Sequence, residues 1–470
     1  MGTISSALSL ISQGLNADQS ALNIVANNVA NANTPGYTRQ TANFEENQPV
    51  TINGVSYGAG VTETGPTSVR DRVLEERLAQ QQQAASASGS RLAALNTLQA
   101  LFTPASGSSS STAGDIGSDL TGFFSSFSSF EANPGNNAYR QQVLSTAGTL
   151  AGDVSNAAAS LNSQEAALDQ EASGVTSQVN ALTGAIGQLN QQIQSTSSSG
   201  DAGTLEDRRQ QDLSKLSQLI GINQVTTEHN GLSITTTSGQ LLVSEGSSFQ
   251  LTSGMVGGVT HFFVGATDVT SQLAGGGGAL GGYLTARDQD IPNALAGLDQ
   301  LAYSVSTQVN TLNNAGTDLA GDAGKAGNIF SQPTLVAGSA VSMSVVMTDP
   351  NRIAAAGAGQ GTGDNSNAVA MANLAEQSIV NGQTPTNFYS DFVTTLGSTV
   401  SRVETENTAQ NASVTQLQSQ WNAQSGVNLN DEASAMTTFE RSYQAASQVF
   451  TMLDTLMASV LNFGDTTAVS

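Results

Sequence analysis

The side chains that could do chemistry are few and scattered. The chain holds two histidines, His229 and His261. Neither has a cysteine, a second histidine or a carboxylate at the spacing a metal site requires. Their neighbours predict a turn histidine and a strand histidine. Glycine runs at 275–278 and 357–363 carry neither the Gly-Lys-Ser/Thr of a phosphate loop nor the strand and helix that would frame one. Serine is abundant, yet no Gly-x-Ser-x-Gly elbow occurs. The acid pairs Glu75/Glu76 and Asp431/Glu432 are adjacent in sequence, so on a helix they point in different directions and read as caps or solvated faces. With no cysteine in the chain, thiolate nucleophiles, disulfides and Cys-based metal sites are excluded together. No catalytic constellation, cofactor site or metal site is predicted.

Charge narrows the partners. Against 37 Asp+Glu there are 14 Lys+Arg, a net charge of −23, whereas nucleic-acid binding needs basic stripes that displace counterions. The densest basic run, Arg70, Arg72 and Arg77, is interleaved with Asp71, Glu75 and Glu76, so no nucleic-acid partner is expected. Membrane insertion is not expected either, since no run of about 18 apolar residues occurs. The first basic residue is Arg39 and polar residues break each early apolar run, so a cleavable secretory signal is not predicted.

What remains to be positioned is a pair of terminal helices. Ile4, Leu8, Ile11, Leu15, Asp18, Leu22, Val25 and Val29 alternate spacings of four and three, the a/d seam of a supercoiling helix. That helix stops at Asn33-Thr34-Pro35-Gly36. At the other end Leu429, Glu432, Met436, Phe439, Tyr443, Ala446, Phe450, Leu453, Met457 and Val460 repeat the spacing, with Asn430 as the expected N-cap. Two such helices at the extremes of one chain point to an assembly interface made of Ile4, Leu8, Ile11, Leu15, Leu22, Val25, Val29, Met436, Phe439, Tyr443, Phe450, Leu453, Met457 and Val460.

Between them the pattern predicts a helix over 68–102, a loop over 103–118, and a long helix over 139–195. One heptad column of that long helix is apolar (Val154, Leu161, Leu168, Val175, Leu182, Leu189), so it reads as a seam in a bundle. A short helix over 205–220 precedes a β island with turns at Asn230-Gly231, Ser238-Gly239 and Gly257-Gly258. Helices resume near Tyr283, with one further strand candidate over 341–347; no assignment follows for 321–363. The fold class is mainly α with an inserted β domain: terminal coiled-coil helices (1–45 and 425–470), a long-helix bundle as core domain (46–221 and 284–424), and a small outer β domain (222–283).

Residues 26–40 sharpen this. The run Ala26-Asn27-Asn28-Val29-Ala30-Asn31-Ala32-Asn33-Thr34-Pro35-Gly36-Tyr37-Thr38-Arg39-Gln40 resembles the N-terminal signature of the axial proteins of the bacterial flagellum, the rod, hook and hook-associated subunits; Asn27, Asn28, Asn31, Asn33, Thr34, Pro35, Gly36 and Tyr37 carry the motif. Three further stretches are similar to the hook-associated members that form the hook–filament junction. They are Val69-Arg70-Asp71 through Arg77-Leu78; Asp268-Val269-Thr270-Ser271-Gln272-Leu273 with Gly281-Gly282-Tyr283-Leu284 and Arg287-Asp288; and Gly426-Val427-Asn428-Leu429-Asn430-Asp431-Glu432-Ala433 with Tyr443-Gln444-Ala445. Asn430 stands where that family usually has an acid.

The resemblance implies a structural subunit, not an enzyme. It implies export by the flagellar type III apparatus as an unfolded chain, a cytoplasmic stage with a chaperone on the C-terminal helix, and a final place outside the cell between hook and filament. The partners implied are the hook protein, a second junction protein and further copies of the chain in a ring. The alternative is a secreted coiled-coil adhesin or effector, which would explain export but not the paired terminal heptads.

Overall fold

The computed structural model describes residues 2–52, 55–102, 115–197, 202–227 and 230–462. His229 and most of the expected 103–118 loop lie outside them.

The N-terminal helix α1 (Gly2–Asn31) leads into two nested hairpins. In the outer one β1 (Gln40–Glu46) pairs antiparallel with β4 (Val61–Ser68) and carries a bulge at Asn43/Phe44; in the inner one β2 (Val50–Ile52) pairs with β3 (Val55–Tyr57). These strands were not read from the sequence. Apart from Gln40 no residue of β1 or β4 is buried, so the apolar alternation that marks a strand packed on a core is missing.

Helix α2 (Arg72–Ala100) starts where Asp71 accepts from the backbone N–H of Val73 and Leu74, an N-cap that the sequence places just before the apolar run. Asp115 does the same for α3 (Ile116–Ala132), whose Phe123, Phe127 and Phe130 are fully buried, each worth roughly 1.5–3 kcal/mol of burial. The long helix α4 (Asn137–Ser197) runs 61 residues, through Gly174, Gly184 and Gly187. Its apolar column turns inward: Val154, Leu161, Leu168, Val175 and Leu189 are buried. Residues 143–168 line a core with α3 and the later helices, while 172–186 line a second core with the β strands. One helix thus serves both.

After α5 (Gly203–Leu219) the chain forms two small antiparallel sheets. The first has the order β5-β6-β7-β8, from β5 (Ile222–Thr226), β6 (Leu232–Thr236), β7 (Leu241–Ser244) and β8 (Ser247–Ser248). The second is β11-β10-β9, from β9 (Leu251–Val256), β10 (Val259–Val264) and β11 (Thr267–Asp268). Gly257 and Gly258 both take positive φ (62° and 91°), the conformation a two-residue hairpin turn demands.

The return to helix runs through α6 (Thr270–Ala274), α7 (Gly278–Thr285), a π turn at Ala286–Asp290, and α8 (Ile291–Ala315). Asp268 accepts from the backbone N–H and hydroxyl of Thr270 at 2.9 and 2.7 Å, which starts α6. At Gly282 the backbones of α7 and α2 come so close that a Cβ would sit 2.3 Å from the Ala87 carbonyl. Arg287, fully buried, binds Asp169 of α4 at 2.5 Å and the Thr260 carbonyl of β10 at 2.9 Å, locking the return to both layers.

The stretch left without assignment, 321–363, is a lobe of irregular chain. The strand candidate at 341–347 is not a strand: Val345 makes one isolated bridge, to Phe330. Asparagine amides of α8 take the place of ladder hydrogen bonds. Asn310 accepts from the N–H of Ile329 and Phe330 and donates to the Phe330 carbonyl; Asn313 accepts from Ala354 N–H and donates to the Gly327 carbonyl. The chain closes with α9 (Ser366–Ala372), α10 (Pro385–Ser425) and α11 (Leu429–Asn462). Helix α10 lies antiparallel on α2, with Asn407 bonded to Ser88 and Gln410 to Gln81. No helix among the described residues is long and apolar enough to cross a membrane.

Candidate assembly interface and its polar junction

The two ends of the chain meet. Helices α1 and α11 pack along each other, with Asn28 near the end of one bonded to Glu432 near the start of the other, so the pair is antiparallel. Beyond the buried Glu432, the least exposed positions of α11 are Ala435, Phe439, Ala446, Phe450, Leu453 and Met457, and their spacing is the seam that faces α1.

The fourteen residues expected to form the interface therefore divide. Phe439, Phe450, Leu453 and Met457 lie on the pairing side of α11, whereas Met436, Tyr443 and Val460 face solvent. On α1, Ile4, Leu8, Ile11, Leu15 and Leu22 are half-buried, Val25 is buried and Val29 is exposed. Ala17, Ala21 and Ile24, outside the heptad, are buried as well. Val449, Met452, Leu456 and Leu461 were missed and are exposed, by 42, 59, 53 and 58%. Together with Val460 they widen the apolar arc of α11 beyond a narrow seam. The a/d template picks one stripe and ignores the next one round the helix, which is how they escaped.

Where this pair joins the body, a buried polar network takes over. Asn28 is 1% exposed. Its amide donates to the Gln40 carbonyl at 2.7 Å and to Glu432 Oε2 at 3.0 Å, while its oxygen accepts from Gln40 N–H at 3.0 Å and Tyr37 Oη at 2.9 Å. Glu432, also 1% exposed, binds Arg39 at 2.7 Å through its other oxygen. The sequence reading of Glu432 as a cap or solvated acid is corrected here: its cation comes from 393 residues earlier and cannot be seen locally. The cap of α11 is Asn428, whose side chain accepts from Asn430 N–H at 3.0 Å; Asn430 is itself inside the helix.

Thr38 N–H continues the network by donating to Asp207 of α5 at 3.0 Å. Asp207 pairs with Arg70, and Arg70 also binds Glu75 at 2.9 Å and Glu206 at 3.3 Å. Glu75 is thus buried and paired rather than solvated, and the mixed charge run at 70–77 is a knot in the fold. Burial pushes the carboxyls of Glu75 and Asp207 above their ordinary range despite the nearby guanidinium, and it drives the Tyr37 hydroxyl to about 12 with the help of Asp207 and Glu432.

The other motif residues shape the loop. Asn31 bonds Asn27 at 2.8 Å and accepts from Thr34 Oγ1 at 3.2 Å; the Pro35 carbonyl accepts from Gln211 at 2.7 Å; Asn33 is exposed. Gly36 has φ 75°, and a Cβ there would lie 2.8 Å from Gln211, so both its conformation and its closeness to α5 call for glycine. This loop forms one wall of a groove of about 640 Å3, with Leu78, Gln82 and Trp421 opposite.

His261 is bonded to Asp268 at 2.6 Å on the exposed face of β10, where the Thr270 bonds first and His261 second hold the Asp268 carboxyl down at about 2. Among the described residues no group of three or more His, Asp or Glu is placed to hold a metal.

Comparison with known proteins agrees with this architecture. The model of the flagellar hook-associated protein FlgK helical domain matches residues 106–330. That of the flagella basal body rod protein matches 11–38, and that of the flagellar basal body rod FlgEFG protein C-terminal region matches 418–463. Flagellar hook-associated protein 1 of Escherichia coli (strain K12) is 24% identical, over 98% of this chain and 100% of its own length. The protein of that name from Bacillus subtilis (strain 168) is 25% identical over 96% of each. The solved structure of the flagellar hook junction protein FlgK from Burkholderia pseudomallei shares the fold, with TM-score 0.64 and 18% identity over 73% of this chain and 99% of that one. Rod-type ends around a hook-associated helical domain define a structural axial component of the bacterial flagellum, not an enzyme. Within that class the chain is similar, over nearly its whole length, to flagellar hook-associated protein 1.

Proposed function

We propose that this chain forms a ring between hook and filament, reaches it through the flagellar type III apparatus, and assembles through α1 and α11. The observation that carries the reading is the second apolar stripe of α11: Val449, Met452, Leu456 and Val460 are exposed although α1 already covers the first stripe. A wholly apolar arc left open in the monomer is a surface awaiting partners. The hook protein, a second junction protein and neighbouring copies would cover it in the assembly, and a cytoplasmic chaperone on the same helix before export. The terminal units 1–45 and 425–470 act as the assembly domain, with the helical core and the 222–283 β domain outside.

The test is a Met452→Asp/Leu456→Asp variant. An unpaired carboxylate buried at an interface costs several kcal/mol. The variant should be exported with an unchanged unfolding midpoint for the body, yet be missing from hook–filament particles, with filament protein lost to the medium. Full incorporation and motility would overturn the proposal.

A further inference from the structure

Resting on that reading, we infer that the 335–341 loop is a rigid apolar knob that seats in the groove between α8 and α10 of a neighbouring copy of this chain. Leu335, Val336 and Val341 are exposed by 71, 37 and 47%, yet the loop that carries them is tightly fixed. Asp299 of α8, 8% exposed, accepts from Gly338 N–H at 2.9 Å and Ala340 N–H at 2.8 Å. Ser339 and Ser342 hydroxyls donate to the carbonyls of Leu335 and Gly338 at 2.6 and 2.7 Å, and Ser331 N–H closes the base on the Ser344 carbonyl at 2.8 Å. Gly338 takes φ 80° to make the turn. A buried carboxylate that orders three aliphatic side chains pointing at solvent stabilises a surface, not a core.

The complementary feature is a groove of about 370 Å3 whose apolar floor is Leu95, Ala294, Phe388, Phe392 and Leu396. Residues 103–114, which follow α2, carry no apolar side chain larger than proline, so that stretch is a poor filling for it. Its rim holds Asp290 and Asp391, which already bind Arg91 and Gln383. Residues 331–348 carry no charge at all in a chain of net −23, so the knob can approach these acids without repulsion.

Position selects the partner. Knob and groove share α8. From Ala294, on the groove side, to Asp299, under the knob, the helix turns about 140° and climbs about 7.5 Å. The two features therefore face different ways at nearly one level, the arrangement of a head-to-tail contact that closes into a ring. A patch of a few hundred Å2 falls well short of the roughly 800 Å2 per partner that a stable complex buries. It suits a contact that sets the register of subunits already held by their terminal helices, and not a dimer in free solution.

Because the chain has no cysteine, cross-linking can test this cleanly. Ala337 and Thr395 are exposed, and an Ala337→Cys/Thr395→Cys variant should melt like the native chain. Oxidising isolated flagella that contain it should give a ladder of multimers on a non-reducing gel, while each single variant stays monomeric. Adding Leu335→Ser should lower the ladder yield several-fold. Dimers from Ala337→Cys alone, a disulfide within one chain, or full incorporation without a ladder would overturn the knob and leave the assembly reading standing. Failure of the native chain itself to be found in the particles would sink both.

Discussion

Asn28 and Glu432 stand 404 residues apart in sequence and share a 3.0 Å hydrogen bond in the fold. Through it the signature loop after α1 and the start of α11 become one buried unit. Glu432→Ala strands the Arg39 guanidinium and one proton of Asn28. A hydrogen bond to a charged group is worth about 1.5–3 kcal/mol, and about 2 kcal/mol is roughly a thirtyfold change in the open population. Protease cleavage within α1 and α11 should accelerate by that order while the unfolding midpoint of the body holds. An equal fall in both would show that the junction does not uncouple the ends.

Phe450 and Met452 should behave differently. Phe450 faces α1 and Met452 faces solvent, so Phe450→Asp opens the helix pair and Met452→Asp leaves it closed. Hydrogen exchange over α1 in the isolated monomer reads the difference: faster in the first variant, native in the second. Identical protection in both would remove the two-faced description of α11.

Asp119, on α3, has its carboxyl raised to about 7, by burial first and then by the neighbouring Asp153 of α4; Asp115 adds repulsion and Tyr389 lies alongside. An unfolded aspartate releases its proton near pH 4. The stability from this proton is thus complete below that value, declines as pH rises, and is gone above about 7. Asp119→Asn keeps the neutral form at all pH. Its unfolding midpoint relative to the native chain should therefore climb between about pH 4 and 7 and level off above, and a flat difference would contradict the raised carboxyl.

Asn313→Ala should loosen the 321–363 lobe. Its fully buried amide holds Gly327 and Ala354, and leaving those groups unpaired costs roughly 1–3 kcal/mol each. Limited proteolysis should move its first cut into the lobe, with α4 intact.

What the sequence made legible follows from the range of the forces involved. Helix α4 is written in its heptad column and the β turns in their glycines, because periodicity and turn chemistry act within a few residues. Glu432 was misread because its meaning lies in Arg39 and Asn28. The hairpins at 40–68 were missed because their faces are wet, and the lobe because asparagine side chains, not a ladder, satisfy its backbone. The exposed stripe at Val449 and Met452 escaped a template that allows a helix one apolar line.

The length of α4 has a mechanical meaning. Its 61 residues span about 90 Å, and both hydrophobic cores are built on it. A force applied to the β5–β11 sheets therefore reaches the helical layer along one continuous ladder of backbone bonds, with no joint in which to dissipate. The helix behaves as a strut: load on the sheets arrives at α3 and α8 as thrust along a rod, not as bending at a hinge.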